Sequence, residues 1–422
     1  MKKEKIRAGL IGFGSRGQNL LECVLVPMTE MDLVIEAVCD EYEDRAVNAA
    51  DYVEEKTGRR PFCTTDYHEI TAMEGLDAVI IMSAWESHVP IALEAMRAGK
   101  YVATEVGGAY SVDDCWALVK TSEATGMPCM LLENCCYGRR EMMVLNMARL
   151  GVLGDIVHCS GGYCHDLREE IAYGKENRHY RLRNYLRRNC ENYPTHELGP
   201  IAQVLNINNG NRLVSLSSAA SCARGMHDYI LDKKGPEDEL ASAVFAQGDI
   251  VTTTIRCAGG QTIVLTLDTT LPRYYSRGFT VRGSKGFYME DTDSIFIEGI
   301  HNQYHLGWKS QWGNAVEFEE KYDHPLWKAY KDQVRGGHDG MDWLVFRGFL
   351  ESVKNGTQPP IDVYDTATLM CISVLSEESI QHGGTAVAIP DFTGGRWLER
   401  HDTVKGKYCL RETCEDDSVS IY

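Results

Sequence analysis

Ile6-Arg-Ala-Gly-Leu-Ile11 runs without a break into Gly12-Phe13-Gly14-Ser15-Arg16-Gly17 and then into a helical run from Gln18 to Val26. A short buried strand, a G-x-G-x-x-G turn and a helix predict a dinucleotide site. The glycines allow a tight turn and close approach of backbone to a pyrophosphate, which the helix start then stabilises. A second apolar strand, Leu33–Cys39, ends in Asp40, near the ~20-residue spacing of a ribose-binding acid. A carboxylate there accepts hydrogen bonds from the 2′-hydroxyl and repels a 2′-phosphate, so the expected cofactor is NAD rather than NADP. The competing reading of Asp40 is a residue that only caps the next helix.

The alternation continues. Strands are predicted at 77–82, 100–104 and 128–132, with helices at 91–98 and 113–125 between them. Strands alternating with helices make a parallel, doubly wound sheet, whose ligand lies at the strand C-terminal ends. By that rule Trp85, Glu86, Ser87, His88, Glu105, Val106 and Asn134 edge the cofactor cleft. Trp85 and His88 also suit simple packing.

After Asn134 the pattern changes, and the expected boundary separates 1–135 from 136–422. A helix is predicted from Tyr137 to Leu150, a strand over Ile156–Tyr163, and a long basic and aromatic loop from His165 to Asn192. Beyond it, period-two strands at 243–245, 250–256, 262–267, 279–282 and 287–289 predict an open, largely antiparallel sheet, with Gly259-Gly260 as a hairpin turn. Helices at 341–354 and 366–382 close the chain. The fold class is therefore α/β, a doubly wound parallel sheet followed by a second α/β domain.

Chemistry is expected at Tyr193-Pro194-Thr195-His196, where a phenol and an imidazole stand three residues apart at a helix start. On a helix they are i, i+3 neighbours able to face one cavity and move protons near neutral pH. The bland alternative is a histidine bonded to backbone.

Composition narrows the partners. The chain has 422 residues, 44% hydrophobic and 25% charged, with a net charge of −18. Such a surface repels nucleic acid and anionic membrane, so neither is expected as a partner. Fifteen cysteines without a spaced framework read as free thiols, and no metal site is expected. The first residues, Met1-Lys-Lys-Glu-Lys, contain no apolar signal, which predicts a cytoplasmic protein. A wide apolar face on the second sheet would favour a homo-oligomer.

Several motifs carry a resemblance: Trp85-Glu-Ser-His88, Glu105-Val106, Glu133-Asn134, Gly162-Tyr-Cys-His-Asp-Leu-Arg168, Tyr193-Pro-Thr-His196, Pro272-Arg-Tyr-Tyr-Ser-Arg277 and His338-Asp-Gly-Met-Asp342. Through them, over about residues 5 to 395, the chain resembles the glucose–fructose oxidoreductase / inositol dehydrogenase / MocA family. Within it the chain is most similar to the NAD-dependent glycosidases of glycoside hydrolase family 109, best known for releasing N-acetylgalactosamine. The resemblance implies an N-terminal Rossmann domain and a C-terminal domain with an open antiparallel sheet. It implies cofactor contacts at Ser15, Arg16, Asp40, Trp85 to His88, Glu105, Val106, Asn134 and Tyr193. Sugar contacts fall on Tyr163, Arg181, Tyr193 to His196 and Tyr275.

The ordinary dehydrogenases of the wider family have Glu-Lys-Pro where this chain has Glu105-Val106-Gly107. Loss of that proton-shuttling lysine speaks against a simple sugar dehydrogenase. The glycosidase branch implies transient oxidation at sugar C3, elimination across C1–C2, water addition and re-reduction, an exception to the two-carboxylate rule. His196 is the expected acid–base at the C3 hydroxyl, with Tyr193 or Tyr137 at C2. The alternative is an oxidoreductase that releases the 3-keto sugar.

Overall fold

A computed structural model of the chain describes residues 3–400 and 407–410. Six strands form a parallel sheet: β1 (Ile6–Ile11), β2 (Leu33–Cys39), β3 (Phe62–Thr64), β4 (Ala78–Ile81), β5 (Tyr101–Thr104) and β6 (Cys129–Leu131), in the order β3-β2-β1-β4-β5-β6. The order reverses at β1, and the crevice there is where such sheets take a dinucleotide. Every residue of β4 is buried, as a strand covered on both faces requires.

The helix after β1 is α-helical only over Ser15–Leu20 and continues as a wider turn over Leu21–Leu25. β3 is an addition to the sequence reading; Phe62 is exposed, so its pattern lacks a buried run.

The second sheet has eight strands: β7 (Ile156–Cys164), β8 (Leu213–Ala220), β9 (Ile250–Cys257), β10 (Thr262–Asp268), β11 (Thr280–Gly283), β12 (Gly286–Met289), β13 (Ser294–Ile297) and β14 (Val387–Ala388). Their order is β13-β12-β11-β7-β10-β9-β8-β14. Only β7 and β10 pair in parallel; the other pairs are antiparallel. β9 and β10 form the expected hairpin, with Gly260 at φ +90° in its turn.

Three expectations change. Residues 243–245 are not a strand; Val244 is 86% exposed, and no strand among the described residues pairs with it. The loop 165–192 contains two short helices, Arg168–Ala172 and Arg181–Arg187. The outer face of β9 carries Thr252, Thr254 and Arg256 in solvent, so it is polar rather than the wide apolar face expected.

By packing, the chain divides into two units. The first takes residues up to Arg139, His324–Ala367 and the described residues from Arg400 onward; the second takes Arg140–Asp323 and Thr368–Glu399. A single cut at 135/136 therefore describes chain order only. The helix Met341–Asn355 buries Trp343, Leu344, Phe346 and Phe349 within the first unit, which draws its segment back. The described cysteines are free thiols. No helix among the described residues is long and apolar enough to cross a membrane.

Candidate active site

In the first unit the glycine turn fits its expected use. Gly12 has φ +100°, and a Cβ there would lie 2.5 Å from the Met82 carbonyl carbon and the Ser83 nitrogen. A Cβ on Gly17 would collide with the Gly12 carbonyl oxygen. At Gly14 the nearest atom to an added Cβ is Arg45 Nη1, 3.7 Å away. The turn is thus closed toward β4 and open at its middle glycine, the shape that lets backbone meet a pyrophosphate. Asp40 stands directly after β2, with Oδ2 accepting from Phe13 N at 2.6 Å and Oδ1 from Tyr42 N at 3.0 Å. Asp40 is not the cap of the next helix, whose N-cap is Tyr42; it ties the glycine turn to the second strand. These residues fit NAD.

Around the same strand ends lies a charged cluster. Arg16 donates two 2.8 Å bonds to Asp342 and one of 3.1 Å to Glu105. Asp342 also accepts from Asn134 Nδ2 at 2.7 Å and lies 2.8 Å from His338 Nδ1. Burial pushes the Asp342 carboxyl up, but the hydrogen bonds from Arg16 and His338 outweigh it and hold it well below the usual range. The structure therefore joins three residues chosen from sequence (Arg16, Glu105, Asn134) to two it had not chosen as site residues. The signal for Asp342 and His338 was the His338–Asp342 motif, which had no assigned role.

The remaining cofactor-side residues sort by exposure. Ser15 is exposed at the helix start, whereas Val106 is buried. Trp85 is buried, and its indole fills the space beside Gly107: a Cβ there would come 2.5 Å from Trp85 Cδ1. Ser87 donates to the Ala84 carbonyl at 2.8 Å, and half-buried Glu86 lies in the first turn of the same helix. His88 is buried with Nε2 2.9 Å from the Ser83 carbonyl; since a carbonyl only accepts, Nε2 carries the proton. Burial lowers His88 to about 4, so its ring is neutral at pH 7.

Tyr137 is corrected. Its ring is fully buried in the first unit, and its hydroxyl donates to the Tyr408 carbonyl at 2.9 Å. Burial raises its ionisation well above the ordinary value. A phenol so committed is a packing residue, and we drop it as a base.

The second unit brings the other expected residues together. Gly161 of β7 leaves room for Glu197: an added Cβ would be 2.7 Å from Glu197 Cβ. That close approach lets the helix Thr195–Val204 lie against β7, with Pro194 at its N-cap. Tyr193 and His196 then meet edge to face with ring centroids 4.9 Å apart. The Tyr163 ring, near the end of β7, is 4.2 Å from Tyr193 and 5.5 Å from His196. Tyr275, half exposed, approaches Tyr163 at 6.3 Å.

The Arg181 guanidinium sits 5.0 Å over the Tyr193 ring, with Nε 2.6 Å from Glu170 Oε1. It supplies the positive charge that a phenol needs to act as a base. Burial pushes Tyr163 up to about 12, against the pull of Arg181. Thr195 is wholly buried, and its hydroxyl has no hydrogen-bond partner among the described residues.

Sequence reasoning missed His165 and Glu191. His165 Nδ1 lies 3.0 Å from the Tyr163 hydroxyl. Glu191 is 1% exposed, neither carboxyl oxygen finds a hydrogen bond among the described residues, and burial raises it to about 8. His165 sits within the Gly162–Arg168 motif and Glu191 near the end of the basic loop, but nothing in their spacing signalled burial or a partner.

A Rossmann body that fits NAD, and an open-sheet body carrying a tyrosine–histidine–arginine cluster, define an NAD-dependent enzyme of the glucose–fructose oxidoreductase / inositol dehydrogenase / MocA type. Residues 6–132 match the oxidoreductase family, NAD-binding Rossmann fold, and residues 137–399 match the glycosyl hydrolase 109, C-terminal domain. The chain is 38% identical to an alpha-N-acetylgalactosaminidase of Tannerella forsythia, over 94% of this chain and 88% of that protein. A glycosyl hydrolase family 109 protein of Stenotrophomonas maltophilia is 39% identical, over 96% of this chain and 93% of its own length. Among solved structures, an NAD binding oxidoreductase from Klebsiella pneumoniae shares the fold at TM-score 0.67 and 13% identity, over 92% of this chain and all of that one. The chain belongs to glycoside hydrolase family 109. It is an NAD-dependent glycosidase acting on a carbohydrate or glycoside.

Proposed function

We propose that the chain hydrolyses an α-N-acetylgalactosaminide or a closely related hexopyranoside. The first unit holds NAD, and the second holds the sugar. When bound, NAD supplies reversible oxidation at the sugar C3, which acidifies the C2 hydrogen and is undone at the end of each turnover. His196 removes and returns the C3 hydroxyl proton. Tyr193, with the Arg181 guanidinium above its ring, takes the C2 proton. Arg181, Tyr163 and Tyr275 orient the sugar, with Pro194 and Thr195 shaping the floor beneath it.

The observation that carries this reading is the edge-to-face Tyr193–His196 pair beneath the Arg181 guanidinium. It puts two groups able to move protons and one fixed cation in a single cluster. Val106, where the dehydrogenases have lysine, favours hydrolysis over net oxidation. A panel of α- and β-nitrophenyl glycosides, with and without catalytic NAD, tests it. Release of nitrophenol without accumulating NADH is expected, first from the α-N-acetylgalactosaminide. Accumulating NADH with no nitrophenol would make the chain a 3-keto-forming oxidoreductase instead.

We further propose a cytoplasmic location and a homo-oligomer, read by fractionation and by light scattering. The acidic surface supports the absence of nucleic-acid and membrane partners.

A further inference from the structure

The proposed chemistry contains three proton transfers, at the C3 hydroxyl, at C2 and at the departing oxygen on C1. His196 and Tyr193 serve the first two, and the third has no residue. The Tyr163 hydroxyl is hydrogen-bonded to an imidazole, His165 Nδ1 at 3.0 Å. The His165 ring also meets Tyr275 edge-on at 5.2 Å, so it is wedged between two of the sugar-side tyrosines. It is half-buried and stands two residues beyond Tyr163 at the end of β7. The charged and titratable groups that act on it are Arg181, Glu170, Asp166 and His196.

From this geometry we infer that Tyr163 is the proton donor to the leaving group and that His165 is its positioning residue. The inference rests on the glycosidase reading above. In the elimination, the C2 proton goes to the Tyr193 oxygen and the C2–H electron pair forms the C1–C2 double bond. The C1–O bond breaks, and the departing oxygen takes the Tyr163 hydroxyl proton. His165, protonated on Nδ1, donates to the phenolate that remains. When water adds, its oxygen bonds to C1, one of its protons restores Tyr163, and Tyr193 returns the proton to C2.

Burial supports the assignment. A phenol raised to about 12 is a weak acid, suited to an alkoxide that cannot leave unaided. A nitrophenolate leaves without such help. The two classes of glycoside therefore separate this role from the others.

The test compares His165→Ala and His165→Asn with the unmutated holoenzyme on the methyl and nitrophenyl glycosides of one sugar, and follows exchange of the C2 hydrogen in D2O. The expected result for His165→Ala is a loss roughly 10²-fold greater on the methyl glycoside than on the nitrophenyl one, with C2 exchange retained. His165→Asn, whose amide N–H reaches toward the place of Nδ1, should recover part of the loss. It carries the same comparison if the alanine variant does not fold. Equal losses on both glycosides, or loss of C2 exchange, would overturn the leaving-group role while the glycosidase reading stands. An unmutated enzyme that releases neither aglycone with NAD would remove both.

Discussion

The charged cluster of the first unit and the aromatic cluster of the second are built on opposite principles. Around Asp342, a guanidinium, an amide and an imidazole converge on one carboxylate at 2.7–2.8 Å. Several short charged bonds on one group lock its protonation and its place. Around Tyr193, the contacts are ring edges at 4.9 Å to His196 and 4.2 Å to Tyr163, with a cation 5.0 Å above. Ring contacts of this kind fix orientation through shape and the ring quadrupole rather than through charge. The first cluster holds a charge still, whereas the second is arranged to let protons move. A cofactor site needs the former and an acid–base site the latter.

The largest expected effect comes from breaking the second cluster. His196→Ala should lower turnover by about 10²–10⁴-fold while NAD binding, followed by tryptophan fluorescence, stays as it was. Unchanged turnover would remove the distinction between the clusters.

Next is the first cluster. Asp342→Asn removes the buried charge that pairs with Arg16 and should destabilise by about 3–5 kcal/mol in urea unfolding, the scale for a buried pair that loses one member. Because the folded Asp342 carboxyl titrates below its ordinary 3.8, its contribution is complete above that pH and is lost as pH falls below it. The gap between the two proteins should therefore close in acid. A gap independent of pH would show that the cluster acts by packing rather than charge.

The smallest effect sharpens the contrast. Glu191 is a buried carboxyl that titrates at about 8 instead of 4.5. The folded state holds this proton, so its stability is intact below 4.5 and erodes as pH rises toward 8. Glu191→Gln, which is neutral at every pH, should gain a Tm on the order of a few degrees over the unmutated protein, growing between those limits. A difference that does not vary with pH would show that burial does not hold the Glu191 proton.

Much of this was legible in the chain itself. The glycine turn with Asp40, and Tyr193 with His196, are local patterns whose spacing dictates their geometry through a turn or a helix. The same local reading failed at 243–245, where alternation had no strand to pair with, and at Tyr137, whose fate was decided by a carbonyl at position 408. It also overstated the apolar character of the outer sheet face, since alternation marks which residues turn outward but threonine and arginine stand there.

The sequence by itself determined the parallel sheet, the dinucleotide turn and the proton-bearing pair on the helix start, because backbone periodicity and turn chemistry act over a few residues. Only the tertiary structure decided that Arg16 meets Asp342, that Arg181 lies over Tyr193, and that Glu191 is sealed from water. Burial and ion pairing join residues far apart in the chain, and their strength depends on the dielectric that the finished fold creates.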